Sequence, residues 1–207
     1  MPQAPERPQI VLVTPPAFDP APFAETLARV LDAVPVACLR LAPAGRDLDA
    51  IARAADALRP VAHDRDVAVV IETHVLLAQR LGLDGVHLTD GARSLRKVRK
   101  DLGADAIVGA FCGTTRHEGI NAAEAGADYV SFGPAAATGL GDGAVADPDL
   151  FDWWSQMIEV PVVAEGGLTP EIVARLAPAA DFFALGEEVW RAADPVAALR
   201  ALDAALG

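Results

Sequence analysis

The chain has 207 residues, of which 52% are hydrophobic, and a formal net charge of −12. This length and apolar content suit a single domain, residues 1–207, with a substantial core. The acidic charge argues against general nucleic-acid binding, which needs a basic surface. No apolar run reaches the length of a membrane span, and residues 1–7 lack the apolar segment of a secretory signal. The sequence therefore predicts a cytoplasmic protein with neither a nucleic acid nor a membrane as partner.

Short β-branched apolar runs alternate with Ala- and Leu-rich helical stretches along the chain. The predicted strands are 10–13, 36–41, 67–71, 85–88, 106–110, 129–132, 160–164 and 181–185. The predicted helices are 22–32, 48–58, 75–81, 94–102, 116–125, 148–157, 170–176, 187–191 and 195–206. Nearly continuous apolar strands are typical of a parallel sheet covered on both faces. Eight strands, each followed by a helix, predict an α/β fold that is a single (β/α)8 TIM barrel.

A doubly wound open sheet is the alternative architecture. Its usual mark is a glycine-rich fingerprint after the first strand, and Thr14-Pro15-Pro16 stands there instead.

A further pattern concerns the loops that lead into strands. Segments 82–86 and 126–130 share Gly-x-Asp-x-Val, and 179–183 is a looser copy. Such αβ loops lie on the stability face of a barrel, so we assign these aspartates no catalytic role.

The predicted seventh strand is followed by Gly166-Gly167 and then by Thr169-Pro170, which suit a helix N-cap and first position. The predicted eighth strand ends at Gly186. The last two strand ends of a (β/α)8 barrel commonly hold a phosphate. Gly166, Gly167 and Gly186 are therefore predicted to bind a phosphorylated small molecule.

Other candidate residues follow the remaining predicted strands. Two histidines and several carboxylates at one rim could perform acid–base chemistry or hold a metal ion. These candidates are Glu72, His74, His87 and Asp90. For both histidines a structural explanation stays open. His74 stands at a rim position, where solvent exposure by itself favours a polar residue, and His87 lies among apolar strand residues. Cys112 is a candidate nucleophile only if a base approaches it; otherwise Cys38 and Cys112 are buried free thiols.

The dense basic run from Arg93 to Lys100 is compatible with two interpretations. At helical spacing it forms a solvated helix face. Alternatively, Arg93 and Arg96, three residues apart near the start of that helix, face a ligand.

Three segments, 82–88, 126–134 and 165–170, resemble the thiamine phosphate synthase and thiazole tautomerase family of barrels. The resemblance implies a barrel that joins a phosphorylated thiazole to a pyrimidine diphosphate, with Mg²⁺ holding the diphosphate. It also implies substrate-binding roles for Arg40, Thr114 and Gly133, which stand at motif positions of the family.

Several catalytic positions depart from the family pattern. The second-strand motif keeps only Arg40, and Glu72-Thr73-His74 replaces the Asn-Asp-Asp that supplies a magnesium ligand. Ala92 stands where the second magnesium aspartate is expected, with Asp90 two residues earlier as a substitute. Thr114 stands where a tautomerase would have histidine, and the lysine of the loop after strand six is absent. Glu187 and Glu188 occupy the second phosphate-binding turn, where we expect Glu187 to repel a phosphate unless it points away.

These departures predict a divergent family member that binds a small, phosphorylated ligand at the rim, with classical synthase activity and Mg²⁺ binding both in doubt. Whether it is an enzyme stays open; an active chain would be a transferase of the thiamine-phosphate diphosphorylase type. An active synthase is one alternative. A non-catalytic binding or regulatory barrel is the other, and an exposed apolar patch at Trp153-Trp154 would favour it. The sequence does not determine oligomeric state, and a homodimer is compatible with it.

Overall fold

The computed structural model describes residues 7–207 and shows a closed barrel of eight parallel strands, in the order β1 to β8. The strands are β1 Gln9–Val13, β2 Cys38–Leu41, β3 Ala68–Glu72, β4 Gly85–Leu88, β5 Ile107–Phe111, β6 Tyr129–Phe132, β7 Val162–Glu165 and β8 Phe182–Leu185. The helices are α1 Pro20–Leu31, α2 Leu48–His63, α3 Val75–Leu81, α4 Leu95–Leu102, α5 Arg116–Glu124, α6 Pro148–Met157, α7 Pro170–Leu176, α8 Glu187–Trp190 and α9 Pro195–Ala204. The predicted (β/α)8 barrel is confirmed, and the open-sheet alternative is wrong because β1 pairs with β8.

The predicted elements agree with the observed ones to within a few residues at most ends. The largest difference is α2, which was expected to end at residue 58 and instead continues through Pro60 to His63. Leu58 and Ala62, on either side of the proline, are both fully buried in the core. Their burial holds the helix across the hydrogen bond that proline cannot donate.

Two packing layers follow from the alternation of side chains along each strand. Outward-facing residues such as Leu39 and Val86 pack under the helices in the main apolar core. Inward-facing residues fill the barrel, where Val11, Val163 and Ala184 form a small separate apolar cluster. Toward the carboxyl ends of the strands the inward positions turn polar. The barrel interior is therefore apolar at one end and ionisable at the other.

The aspartates of the repeated Gly-x-Asp motif lie at the amino-terminal face of the barrel. Each accepts a hydrogen bond from the backbone N–H of the first or second residue of the preceding strand. These bonds join Asp84 to Val69 (2.6 Å), Asp128 to Val108 (2.7 Å) and Asp181 to Val162 (2.7 Å). The motif ties each strand to its predecessor, as its predicted structural role requires.

Two observations bear on the membrane and surface predictions. Within residues 7–207, no helix is long and apolar enough to cross a membrane. Trp154 is fully buried, and its indole N–H donates to the carbonyl of Val160 at 2.7 Å. Arg116 lies over the ring of Trp153 at 4.6 Å from its centroid. The tryptophan pair therefore forms no exposed apolar patch.

Candidate active site

The inward side chains of β2, β4, β6 and β7 meet in a buried polar network below the rim. Arg40 Nη2 donates to Glu165 Oε2, and Ser131 Oγ donates to Glu165 Oε1 at 2.7 Å. Arg40 Nη1 lies 3.0 Å from His87 Nε2. Arg40, His87, Ser131 and Glu165 are each at most 5% exposed. The network replaces the upper apolar layers that commonly fill a barrel of this kind.

The hydrogen bonds fix the tautomer of His87. A guanidinium can only donate, so Nε2 accepts from Arg40 and the ring hydrogen lies on Nδ1. Nδ1 then donates to the hydroxyl of Tyr129, 2.9 Å away. Burial and the charge of Arg40 hold the pKa of His87 well below 6.5. Both ring nitrogens are occupied within the protein, so the structural explanation for His87 accounts for its position without a ligand.

The charge state of the network follows from its contacts. Burial by itself lowers the pKa of Arg40, but the charges of Glu165 and Glu72 raise it above its usual value. Glu72 Oε1 lies 3.4 Å from Arg40 Nε, and the Glu72 side chain is 26% exposed. Burial raises the pKa of Glu72, while Arg40 opposes the rise. Among residues 7–207, Arg40 Nε is the buried side-chain nitrogen without a hydrogen-bond partner.

The neutral state of His87 predicts a pH-dependent stability. The unfolded histidine takes up a proton below about pH 6.5, whereas folded His87 resists it. Its contribution to stability is therefore complete above that pH and is lost on acidification, by at most about 1.4 kcal/mol per pH unit. We expect urea unfolding from pH 7.5 to 5.5 to show this loss in the wild type and a smaller loss in His87→Gln.

Exposed His117 provides the control for this measurement. His117→Gln should keep the wild-type pH slope, since the prediction depends on a buried neutral ring. The pKa of Glu72 is raised in the folded protein, so its protonation at lower pH favours folding and partly masks the effect of His87. The slopes of the variants are therefore compared with one another. Equal slopes in wild type and His87→Gln would contradict the assignment.

Two cavities open at the carboxyl ends of the strands. The larger, about 700 Å³, extends from the ends of β4, β5 and β6 along the groove between α4 and α5. Of the predicted site residues, Asp90, Cys112, Thr114 and Gly133 line it. Arg93 and Arg96 line it too, which supports the ligand-facing interpretation of that pair.

The smaller cavity, about 410 Å³, lies over the ends of β7 and β8. The predicted residues Arg40, Gly166, Gly167 and Gly186 line it together with Glu165, Glu187 and Glu188. Both glycines of the pair have positive φ, and a Cβ on Gly167 would stand 3.0 Å from side-chain atoms of Ala136 and Thr138. The loop after β6 separates the cavities, because Leu140 lines the smaller and Gly141 the larger.

Two predicted catalytic residues are placed unfavourably for their roles. His74 caps α3, with Nδ1 2.7 Å from the carbonyl of Glu72, and lines neither cavity at the strand ends. It borders an apolar depression that includes Leu48 and Leu76. Cys112 is 3% exposed, and burial raises the pKa of its thiol to about 12. The thiol is therefore not a ready nucleophile near neutral pH.

The structure distinguishes the two glutamates of the turn after β8. Glu187 Oε1 accepts from Arg191 at 2.7 Å, and its side chain is 59% exposed. Glu188 instead turns to the strand ends. Its Oε1 accepts from Leu168 N–H at 3.1 Å and its Oε2 from Gly186 N–H at 2.9 Å. The carboxylate of Glu188 therefore links the loop after β7 to the end of β8.

Magnesium has a limited set of donors here. Within residues 7–207, no group of three or more His, Cys, Asp or Glu is arranged to hold a metal ion. Glu72 faces Arg40, while exposed Asp90 borders the larger cavity and accepts from Ser94 at 3.0 Å. Mg²⁺ is commonly held by one or two carboxylates plus substrate phosphates. The described residues therefore do not form a metal site by themselves, and Asp90 is a carboxylate at the larger cavity that an ion delivered with a diphosphate would meet.

Sequence reasoning did not select three members of the network, Tyr129, Ser131 and Glu165. Alternation along β6 and β7 could have indicated them, since Tyr129 and Ser131 share a face, as do Val163 and Glu165. Glu188 offered no signal that distinguished it from Glu187. Its role depends on the rotation of α8 against two strand ends.

The fold and these strand-end cavities define a (β/α)8 barrel with two cavities at the carboxyl face. Residues 10–189 match the family model described as thiamine monophosphate synthase. A thiamine-phosphate synthase of Rhodospirillum centenum is 46% identical over 194 residues, covering 92% of this chain and 94% of that protein. One of Hyphomonas neptunium is 37% identical over 206 residues, covering 96% and 93%. The chain belongs to the thiamine monophosphate synthase family.

Solved structures agree on the architecture. Thiamine phosphate pyrophosphorylase from Pyrococcus furiosus superimposes with a TM-score of 0.85 at 19% identity, covering 97% of this chain and 96% of that one. A geranylgeranylglyceryl phosphate synthase from Thermoplasma acidophilum, in complex with sn-glycerol-1-phosphate, gives 0.74 at 18% identity, with 97% and 93% covered. At these identities the likeness shows the fold alone.

Proposed function

We propose that this chain joins a thiazole to a pyrimidine diphosphate and releases diphosphate, using a site that diverges from the family pattern. The observation that carries the proposal is the pair of adjacent cavities. Carboxylates outnumber cations around both cavities, but the larger one has two arginines, Arg93 and Arg96, whereas the one arginine of the smaller cavity, Arg40, is bound by Glu165. The two arginines of the larger cavity suit a substrate with a diphosphate there, and a second substrate would be held across the loop at Leu140-Gly141 in the smaller cavity. The family membership and the names of the relatives support the same chemistry.

The reaction needs stabilisation of a leaving diphosphate more than it needs an acid or a base. The thiazole ring nitrogen attacks the methylene carbon of the pyrimidine, the C–N bond forms, and the C–O bond breaks with its electron pair on the diphosphate. In this proposal Arg93 and Arg96 bind the diphosphate oxygens, in place of the lysine that is absent from the loop after strand six. Mg²⁺, when bound, would neutralise further charge on that group. Thr114 adds a hydroxyl to the same wall.

The buried network is assigned a positioning role. Arg40, Glu165 and His87 donate and accept within the protein, so none of them is free to move a proton. They hold the floor below the smaller cavity, which Arg40 and Glu165 line. The predicted substrate-binding role of Arg40 becomes, in this proposal, a contact from a fixed guanidinium.

Replacement of Arg96 tests the proposal directly. A hydrogen bond to a charged group is worth about 1.5–3 kcal/mol, so Arg96→Ala should lower kcat/KM for the pyrimidine diphosphate about 10- to 150-fold. Lys100→Ala on the same helix removes the same charge outside the cavity and should change kcat/KM less than about threefold. The measurement is product formed in a magnesium-dependent coupling assay. Equal effects of the two substitutions would contradict the proposed diphosphate site.

A non-catalytic binding barrel is the second candidate function. The observation that favours it is Glu188, whose carboxylate already occupies the amides at the ends of β7 and β8. Saturable binding of the pyrimidine diphosphate by folded protein, without turnover when the thiazole phosphate or its unphosphorylated alcohol is added, would support this candidate. Turnover above that of heat-inactivated protein would exclude it. Cytoplasmic location and a homodimer stay predictions.

A further inference from the structure

The ends of β7 and β8 carry a carboxylate where a barrel of this kind commonly holds a phosphate. Each oxygen of Glu188 accepts one backbone N–H, from Leu168 at 3.1 Å and from Gly186 at 2.9 Å. The two amides belong to different strand ends, nearly twenty residues apart in sequence. A single side chain thus satisfies the donors that would otherwise be available to a ligand oxygen.

The charges around the smaller cavity do not compensate for a second anion. Its charged lining residues are Arg40, Glu165, Glu187 and Glu188. The guanidinium of Arg40 is taken up by Glu165 and faces Glu72 as well. Arg191 binds Glu187 and does not line the cavity. A phosphate entering here would meet more carboxylates than free cations.

We propose that Glu188 substitutes for the substrate's phosphate, so that the second substrate of this chain is the unphosphorylated thiazole alcohol. This inference rests on the proposed function. A hydroxyl can donate to a carboxylate oxygen that a phosphate dianion would approach only against repulsion. The condensation balances in the same way with either substrate, because the hydroxyl end does not react. The product would be the thiazolium alcohol instead of its phosphate ester.

Binding of inorganic phosphate tests the role of Glu188 without any requirement for activity. We expect no saturable binding by the wild type, and binding by Glu188→Ala at least about tenfold tighter, since removing a charge a few ångströms away is worth about fivefold to a thousandfold. Isothermal titration gives the affinity, and the amide resonances of Leu168 and Gly186 report its location. Glu188→Gln, which keeps the shape, serves if Glu188→Ala folds poorly.

Glu187→Gln is the matched control, because it removes the same charge one residue away from an exposed side chain paired with Arg191. Like the wild type, it should show no saturable phosphate binding. Saturable phosphate binding by the wild type, with shifts at Leu168 and Gly186, would overturn the proposal. So would equal affinities in Glu187→Gln and Glu188→Ala.

The substrate preference is measured separately, as the ratio of kcat/KM for the thiazole alcohol to that for its phosphate. The ratio should favour the alcohol in the wild type and fall at least about tenfold in Glu188→Ala. A wild-type preference for the phosphate would overturn the proposal. If neither thiazole is coupled, the proposed function fails, whereas the phosphate titration still decides whether Glu188 occupies the anion site.

Discussion

Replacement of Glu165 by alanine should destabilise the protein by about 3–5 kcal/mol, because it leaves the Arg40 guanidinium buried without its main counter-charge. Arg40 is 5% exposed and Glu165 3%. Glu72, 3.4 Å from Arg40 Nε, offers partial compensation and places the expected loss toward the lower end. The measurement is the free energy of unfolding in urea at neutral pH.

The double variant Arg40→Met with Glu165→Leu separates the ion pair from packing. A buried pair replaced by apolar residues of similar volume is often neutral or stabilising, so the double variant should recover most of the loss. Ser131→Ala, which removes one hydrogen bond to Glu165, should cost only about 1–3 kcal/mol. A loss below about 1 kcal/mol in Glu165→Ala would show that the guanidinium is solvated after all.

Substitution of Gly85 by alanine is the second change with a large expected effect. A Cβ at this position would stand 1.9 Å from the backbone carbonyl oxygen of Ile107, to which β4 is paired. The two strands must separate to admit it, and His87 lies two residues further along β4. We expect a loss of about 3 kcal/mol or more in the free energy of unfolding, the upper range for overpacking.

Gly45→Ala provides the matched control, since a Cβ there meets nothing within 4 Å and the residue has no positive φ. Its effect should stay within about 0.5 kcal/mol of the wild type. Thermal unfolding of the pair checks the stability, and the near-ultraviolet circular dichroism of the aromatic side chains checks the packing of the barrel. Equal stabilities of Gly85→Ala and Gly45→Ala would contradict the strand register.

The elements of the barrel were predictable because their signals are local. Strand and helix patterns, the Gly-x-Asp loops and the Thr169-Pro170 helix start each depend on a few neighbouring residues. Thr169 does cap α7, accepting from Ile172 N–H at 3.4 Å. The end of α2 was missed because packing on both sides of Pro60 outweighed its local preference to end a helix.

The candidate site was only partly predictable. The glycines at the ends of β7 and β8 were found because glycine and strand position coincide in sequence. The partner of Arg40 was not found, because Glu165 lies 125 residues away and barrel closure brings the two together. Which of Glu187 and Glu188 faces the strand ends was not predictable for a related reason. Consecutive helical residues point about 100° apart, and only the placement of α8 decides which one faces the strand ends.

The sequence by itself determined the strand–helix order, the closed parallel barrel that this order implies, and the family, because these depend on local periodicity and on motifs read along the chain. Only the tertiary structure decided which ionisable groups are neutral, paired or exposed. Those properties depend on desolvation and on distances between side chains from different strands. His87 and Glu188 show this most clearly: His87 is a buried hydrogen-bond acceptor inside the barrel, and Glu188 accepts hydrogen bonds from two amides at the ends of β7 and β8.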